Sequence, residues 1–230
     1  MKNFHEVSPL RILEKSAAGS LGRGNLGVLM ARAGVGKTAC LIHIALDKLF
    51  RKEKLIHVSL EDMPEKVTSY YNVIFSDLVK ALELKGEDEL KMIVDRNRMI
   101  LAYRQSFGIS RLRQNIRNLV EKIDFVPEAI IVDGLKFESA TPETFQGFKE
   151  VASEFKVEIW LSALSDPQNT QVNERGIPHP CSHVDQFLSM IVQLQPTASA
   201  ILLRLLKDHD HPVGPDASLA LDPNTFLVRA

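Results

Sequence analysis

The chain has 230 residues, of which 45% are hydrophobic and 25% are charged, and these fractions are typical of a soluble globular protein. This length suits one α/β domain in which helices cover both faces of a large sheet. The formal net charge of −1 argues against bulk attraction to nucleic acid or to a membrane surface.

Cysteine content and hydropathy exclude two further classes of protein. Cys40 and Cys181 are the only cysteines, and Cys40 lies in a helical pattern where a buried thiol is expected. The sequence therefore predicts a reducing, cytoplasmic environment and no disulfide framework. No apolar run approaches the ~20 residues that span a bilayer, and the N-terminal stretch lacks the features of a signal peptide, so no membrane partner is expected.

The first predicted elements surround a glycine-rich turn. After a lead-in of residues 1–23, an apolar run at 26–30 predicts a short buried strand. This strand leads into the eight residues ARAGVGKT, 31–38, and a helical pattern follows from Ala39. A strand, a glycine-rich turn, Lys-Thr and a helix in this order form the phosphate-binding P-loop arrangement, in which Ala31 replaces the first glycine.

Each residue type in this loop has a physical role. Gly34 and Gly36 permit backbone conformations that are closed to residues with a Cβ, so successive N–H groups can face a phosphate. Lys37 is expected to contact the β- and γ-phosphates and to act in catalysis, and the Thr38 hydroxyl is expected to hold Mg²⁺. The residues predicted to bind the nucleotide are Ala33, Gly34, Val35, Gly36, Lys37, Thr38 and Ala39.

A second strand is predicted at 54–60, and the acidic stretch EDMPE follows it. Glu61 is the candidate catalytic base, because its strand is expected to lie next to the P-loop strand and to end near the γ-phosphate. A carboxylate in that position can polarise or orient an attacking water. Asp62 followed by Pro64 is typical of a helix start, so Asp62 is expected to cap a helix that continues to about residue 84.

The remaining segments first alternate between strand and helix and then become all strand. Strands are predicted at 98–103, 129–133 and 157–163, helices at 110–123 and 141–155, a polar loop at 165–180, and further strands at 188–195, 200–207 and 218–222. This order predicts a mainly parallel sheet flanked by helices, with an antiparallel C-terminal extension over residues 188–230. No linker indicates a second domain within residues 1–230.

Asp133 ends a predicted strand of strongly apolar residues, AIIVD, which is typical of a parallel sheet covered on both faces. In P-loop NTPases an aspartate at the end of such a strand binds Mg²⁺ beside the hydroxyl of the P-loop. We therefore predict that Asp133 and Thr38 hold Mg²⁺ together.

Three stretches, GRGNLGVLMARAGVGKT, IHVSLEDMPEKV and AIIVDGL, together resemble the RecA-like ATPases and are most similar to their KaiC-type and replicative-helicase (DnaB-type) branch. The resemblance covers about residues 10–228 and is strongest before residue 70. In KaiC-type proteins the second strand ends in paired acids, a small or polar residue and Pro-Glu, as residues 61–65 do here. The resemblance implies a RecA-like fold, ATP and Mg²⁺ as ligands, Glu61 as the catalytic glutamate, and a homo-oligomer such as a ring or dimer.

Two positions depart from this family pattern. A helicase-type chain usually has Gln between two Leu-Ser pairs, where this sequence has Ala163, so an amide that could report on the γ-phosphate is missing. The family also tends to place a Lys-x-Arg pair at a subunit edge, where this sequence has Lys207 and His209. Histidine lacks the guanidinium fork and its permanent charge. The resemblance therefore implies slow hydrolysis.

The same departure leaves the assembly open. In an ATP-dependent oligomer, we expect Lys207 to lie against the phosphates of the neighbouring subunit. His209 is expected on the same side if the extended strand continues that far. The run at 200–207 is so apolar that both of its faces are expected to be covered. The alternative is a monomer in which Lys207 is a surface lysine.

Two weaker patterns also leave alternatives open. His179, Cys181 and His183 alternate in HPCSH, but a spacing of two residues is tight for zinc, and a solvated loop is the favoured interpretation. A run of cations could follow the phosphate backbone of DNA, although a solvated helix face is favoured. Its members are Lys91, Arg96, Arg98, Arg104, Arg111, Arg113 and Arg117.

The sequence thus predicts a RecA-like protein that binds Mg-ATP and hydrolyses it slowly, in the service of regulation or assembly. One alternative is a nucleotide-binding regulator that does not hydrolyse ATP. Another is a DNA-binding recombinase or helicase-like module. A small-molecule kinase fits poorly, because no lid-like arginine cluster occurs late in the chain.

Overall fold

The computed structural model describes residues 4–103 and 106–229, and its strands form one sheet. The strands are β1 (Leu26–Ala31), β2 (Leu55–Ser59), β3 (Arg98–Ala102), β4 (Ala129–Asp133), β5 (Glu158–Leu164), β6 (Met190–Pro196), β7 (Ile201–Asp208) and β8 (Ser218–Leu221). The helices are α1 (Phe4–Val7), α2 (Lys37–Phe50), α3 (Pro64–Leu82), α4 (Glu87–Asn97), α5 (Ile109–Ile123) and α6 (Pro142–Phe155). No helix within these described ranges is long and apolar enough to cross a membrane.

The sheet has the order β3-β2-β4-β5-β1-β6-β7-β8. The strands from β3 to β6 in this order run parallel, whereas β7 and β8 are antiparallel to their neighbours. This confirms the predicted α/β fold with an antiparallel C-terminal extension. One expectation is wrong, because β4 and β5 separate β2 from β1, so the strand that precedes Glu61 is not a neighbour of the P-loop strand.

Hydrophobic clusters cover both faces of the sheet. On one face the helices α2, α3 and α4 contribute buried side chains such as Leu41, and on the other face α5 and α6 contribute Leu112 and Phe148. The side chains of β1 alternate between the clusters, with Leu29 in the first and Val28 in the second. Burial of each such side chain contributes roughly 1.5–3 kcal/mol. This two-sided core therefore fixes the strand that leads into the P-loop.

Both cysteines are free and buried, which confirms the expectation for Cys40. Burial raises the pKa of both thiols, of Cys40 and of Cys181. A buried thiol with a raised pKa stays protonated near neutral pH and reacts slowly. We therefore treat Cys40 and Cys181 as core residues.

The extension is less covered than its sequence suggests. Along β7, Ile201 and Leu203 are buried, but Leu202 is only half-buried and Arg204 is exposed. The expectation that both faces of this strand are covered is therefore wrong. An antiparallel strand can keep one face on the core and leave the other partly open to water, even when its residues are apolar.

Candidate nucleotide-binding site

A cavity of about 590 Å³ opens at the edge of the sheet where β1, β2, β4 and β5 end. The carboxyl ends of parallel strands meet at one edge, and ligands of open α/β sheets bind in the crevice there. The cavity lining includes the predicted site residues Ala33, Lys37, Thr38, Glu61 and Asp133.

The glycine-rich turn has the geometry that an anion cradle requires. Gly34 and Gly36 have φ angles of 76° and 95°, which are left-handed conformations that favour glycine. Gly36 is the N-cap residue of α2, so the helix begins at Lys37 with its positive end facing the cavity. The first N–H groups of a helix have no partner within the helix, and they are available to a phosphate.

Lys37 and the pair of Thr38 and Asp133 carry the chemistry of this end of the cavity. Thr38 Oγ1 donates a hydrogen bond to Asp133 Oδ2 at 2.7 Å, so the hydroxyl and the carboxylate converge on one point. Hydroxyl and carboxylate oxygens are hard ligands, which suit Mg²⁺. Lys37 is half-buried, and within the described residues it has no hydrogen bond or ion pair with another side chain.

Glu61 reaches the same cavity although its strand lies farther away than expected. The backbone N–H of Leu60 donates to the carbonyl of Asp133 at 3.0 Å, which extends the pairing of β2 with β4 by one step. The Ser59 hydroxyl accepts the Asp62 N–H at 3.0 Å and donates to the Asp62 carbonyl at 2.9 Å, which closes a turn around Glu61. Glu61 is exposed, and its carboxylate forms no ion pair within the described part of the chain.

The expected cap at Asp62 is wrong. The N-cap residue of α3 is Met63, and no side chain provides the cap hydrogen bond there. Asp62 instead accepts a hydrogen bond from the ammonium of Lys66 at 2.7 Å, one helical turn away. The exposed Lys66 has a raised pKa because of this hydrogen bond with Asp62. The carboxylate therefore lies on the outer surface of the helix start.

Ser162 and Gly134 also belong to the cavity wall, and the sequence did not identify them. Ser162 and Leu164 line the cavity, whereas Ala163 between them packs into the hydrophobic cluster on the other face. The alternation of side chains along β5 was the available signal, since it places every second residue on the same face. Gly134 directly follows Asp133, and its N–H donates to Ser162 Oγ at 3.0 Å.

A second cavity, of about 500 Å³, adjoins the P-loop from the side of the extension. It is lined by residues 33–36, by the turn between β6 and β7, and by Phe226. The ring of Phe226 lies so close to Gly36 that a Cβ at Gly36 would overlap it. Phe226 comes from the far end of the chain, so no local pattern predicts this contact.

The predicted intersubunit residues have partners within the chain. Lys207 Nζ donates to the carbonyl of Asp185 at 2.6 Å, and burial lowers the pKa of Lys207. Because β7 is antiparallel to β6, it ends at the edge of the sheet opposite the P-loop. The strand ends at Asp208, and His209 has a φ of 51°, so the extended backbone expected for His209 does not continue. A role between subunits stays a prediction.

The run of basic residues is largely neutralised within the molecule. Arg113 and Arg117 of α5 form ion pairs with Glu154 of α6 at 3.0 Å and 2.6 Å. Arg98 stacks on the ring of Tyr71, with its guanidinium carbon 4.2 Å from the ring centre. These contacts favour the solvated-face interpretation over a DNA-tracking surface. Arg104, which the sequence places in the same run, lies outside the described residues.

The alternating HPCSH motif shows no metal-binding arrangement. Cys181 is buried, and the rings of His179 and His183 stack with centres 6.2 Å apart. Among the residues with described positions, no group of three or more His, Cys, Asp or Glu side chains could hold a metal ion.

Comparison with known proteins supports the fold. No family model matches the sequence, and no curated protein is significantly similar to it. Among solved structures 531 chains match, and one of them is the ATPase domain of a DnaB-like helicase. The superposition covers 93% of this chain and 87% of that chain with a TM-score of 0.68 at 15% identity. At this identity the likeness shows the fold alone, and the fold of this chain is RecA-like.

Proposed function

We propose that this chain is a RecA-like ATPase that binds Mg-ATP and hydrolyses it slowly. The observation that carries the proposal is the convergence of Lys37, the Thr38–Asp133 pair and Glu61 on one cavity of about 590 Å³. They come from the ends of three strands that are separated in sequence. Unrelated charged residues at strand ends do not usually bring a phosphate-binding cation, a pair of hard oxygen ligands and an unpaired carboxylate to one opening.

Each residue has a distinct proposed role toward the triphosphate. Lys37 and the N–H groups at the start of α2 bind the phosphate oxygens, and Thr38 and Asp133 hold Mg²⁺. When bound, Mg²⁺ supplies positive charge that neutralises the phosphate oxygens. Glu61 orients a water and accepts its proton as the water oxygen attacks the γ-phosphorus. The bond from the γ-phosphorus to the bridging oxygen breaks, and ADP and phosphate leave.

The nucleoside is proposed to occupy the second cavity, beside Phe226. This cavity adjoins the first one along the P-loop, and Ala33 lines both, so a nucleotide can span the two. Phe226 offers an aromatic surface for a base.

Slow turnover follows from the cations that the cavity lacks. In the described part of the chain, the only cationic residues that line it are Lys37 and Lys136. Lys207 is held by the carbonyl of Asp185, at the opposite edge of the sheet. An arginine finger contributes roughly 10³–10⁵ in turnover, and no arginine lines the cavity within the same described residues. Such slow hydrolysis suits a regulatory or assembly cycle, as the resemblance implies.

The test is phosphate release with and without Mg²⁺, comparing Glu61→Gln with Asp62→Asn. Both changes remove one carboxylate from the same turn, but only Glu61 is proposed to act on water. Glu61→Gln is expected to lower turnover at least ~100-fold with ATP affinity retained, and Asp62→Asn to leave turnover within about twofold. Equal losses in the two variants would contradict the assigned roles. Tight ATP binding without any phosphate release by the wild type would favour the non-hydrolysing regulator.

Assembly is tested separately. Sedimentation with Mg²⁺ and a non-hydrolysable ATP analogue should show an oligomer if a neighbouring subunit completes the site. Turnover per chain should then rise with protein concentration, and Lys207→Ala should abolish that rise. A monomer at every concentration, with turnover indifferent to Lys207→Ala, would assign Lys207 to the surface of a working monomer.

A further inference from the structure

The position of Glu61 depends on a glycine in the adjacent strand end. Gly134 has a φ of 89°, and a Cβ built on it would lie 2.8 Å from Cγ and 3.3 Å from Cδ of Glu61. A carbon at 2.8 Å overlaps its neighbour, so the side chain of Glu61 fills the space that the glycine leaves. Gly134 therefore acts as a floor on which the candidate base rests.

The conformation of Gly134 is fixed in turn by Ser162. Its N–H donates to Ser162 Oγ at 3.0 Å, which ties the end of β4 to β5 across the cavity wall. Ser162 is 1% exposed, so this hydrogen bond is shielded from water. Losing it would leave the N–H of Gly134 without its buried acceptor, in a backbone conformation that is already restricted.

The Ser162 hydroxyl still has a proton to donate. Its oxygen accepts from Gly134, and within the described residues its own proton has no acceptor. Ser162 also lines the nucleotide cavity, on the face of β5 that carries Leu164 and opposite to Ala163. A bound nucleotide or the attacking water is the partner that this arrangement leaves for the proton.

We infer that Ser162 is a positioning residue that links the terminal phosphate to Glu61 through Gly134. Its hydroxyl donates toward the γ-phosphate side of the cavity and accepts from Gly134, whose backbone sets the place of the Glu61 side chain. Ser162 would thus do by a hydroxyl what the missing amide at position 163 cannot do. This inference rests on the proposed ATPase function.

The experiment measures turnover, KM for ATP and the affinities for ADP and a non-hydrolysable ATP analogue, in wild type and in Ser162→Ala. We expect Ser162→Ala to lower kcat about tenfold with KM within about twofold, because the substitution disturbs a position and not the phosphate cradle. The preference for the ATP analogue over ADP should fall several-fold. Ser162→Thr keeps the hydroxyl and should restore most of both properties.

Two further variants separate positioning from a merely structural role. Ser162→Ala introduced into Glu61→Gln should add no further loss of turnover, because the two residues act as one unit. Ser189→Ala is the matched control, since Ser189 Oγ donates to Asn25 Oδ1 at 2.9 Å near the opposite ends of the strands. That variant should keep the wild-type kcat.

The outcomes distinguish the inference from the function on which it rests. Additive losses in the Glu61→Gln background, or an equal loss in Ser189→Ala, would overturn the link through Gly134. If wild type binds ATP but releases no phosphate, the proposed hydrolysis fails, and the ratio of analogue to ADP affinity still tests Ser162. An unchanged ratio in Ser162→Ala would then overturn the inference as well.

Discussion

The two edges of the parallel sheet treat their charged residues in opposite ways. At the amino edge, Lys48 is almost fully buried, and its ammonium lies 2.6 Å from Glu158 and 3.3 Å from Glu53. At the carboxyl edge, Lys37 and Glu61 lack ion pairs within the described residues, although they line one cavity. The same helix, α2, begins at Lys37 and contains Lys48 in its last turn.

This difference separates residues that stabilise the fold from residues that await a ligand. A buried lysine needs a carboxylate beside it, since an unpaired charge in the interior is strongly destabilising. A lysine that faces a cavity can remain unpaired, because water solvates it until an anion binds. The comparison therefore predicts opposite phenotypes for the same substitution at the two ends of α2.

Lys48→Ala should have the largest effect on stability. It leaves Glu158 and Glu53 without their shared cation in a nearly buried site, and we expect a loss of about 3–5 kcal/mol in the free energy of unfolding. Urea denaturation followed by circular dichroism measures this loss. At temperatures where the variant remains folded, its affinity for Mg-ATP should equal that of the wild type. Wild-type stability in Lys48→Ala would show that the amino edge is not held by this ion pair.

Lys37→Ala should give the reverse result. Removing a charge-assisted contact to phosphate should weaken Mg-ATP binding by about 1.5–3 kcal/mol, which isothermal calorimetry detects as a ten- to hundredfold rise in Kd. The free energy of unfolding without nucleotide should change by less than about 0.5 kcal/mol, because Lys37 contributes nothing to the core. Unchanged affinity would mean that the loop does not hold the phosphates.

His43 tests the stretch of α2 between the two edges, with a smaller effect. Burial lowers the pKa of His43 to about 3, and its Nδ1 has no hydrogen-bond partner in the described structure. The unfolded state therefore binds the proton more readily, so His43 contributes stability that is complete above pH ~6.5 and is lost as the pH falls toward about 3. Burial also lowers the pKa of His57, to about 4, which acts in the same direction.

We expect His43→Leu to remove about 1 kcal/mol of the stability difference between pH ~7.5 and pH ~5.5. The measurement is the urea midpoint across that range, and the remaining pH dependence of the variant reports on His57 and the carboxylates. An unchanged slope in His43→Leu would show that His43 is not the proton-binding group.

The sequence predicts the parts of this molecule that depend on neighbours along the chain. Gly34, Gly36 and Lys37 lie within four residues of one another, so backbone freedom and charge can be inferred directly from the local pattern. The strand and helix bounds also depend on local periodicity, and most predicted strands agree with the structure to within one or two residues. The carboxyl edge of the sheet collects the strand ends whatever the order of the strands, which is why Glu61 and Asp133 still meet.

Features that depend on pairing between distant segments were wrong or missing. Nothing in the apolar residues of β2 says that β4 is its neighbour, so the sequence placed Glu61 beside the wrong strand. Asp62 had the right composition for a cap, but the turn closed by Ser59 moves the helix start beyond it. Phe226 lies on Gly36 because the end of the chain returns to the P-loop, and only the tertiary structure shows it.

The chain contains one tryptophan, and its place in the fold gives the protein two separate optical signals. Trp160 is 1% exposed, its indole nitrogen donates to Glu158 Oε1 at 3.1 Å, and its ring fills the space beside Gly27. Its emission should therefore shift to longer wavelength when the amino edge opens to water, and should follow the fate of the Lys48–Glu158 pair. A fluorescent ATP analogue would report on the carboxyl edge, so unfolding and nucleotide binding can be recorded in one cuvette.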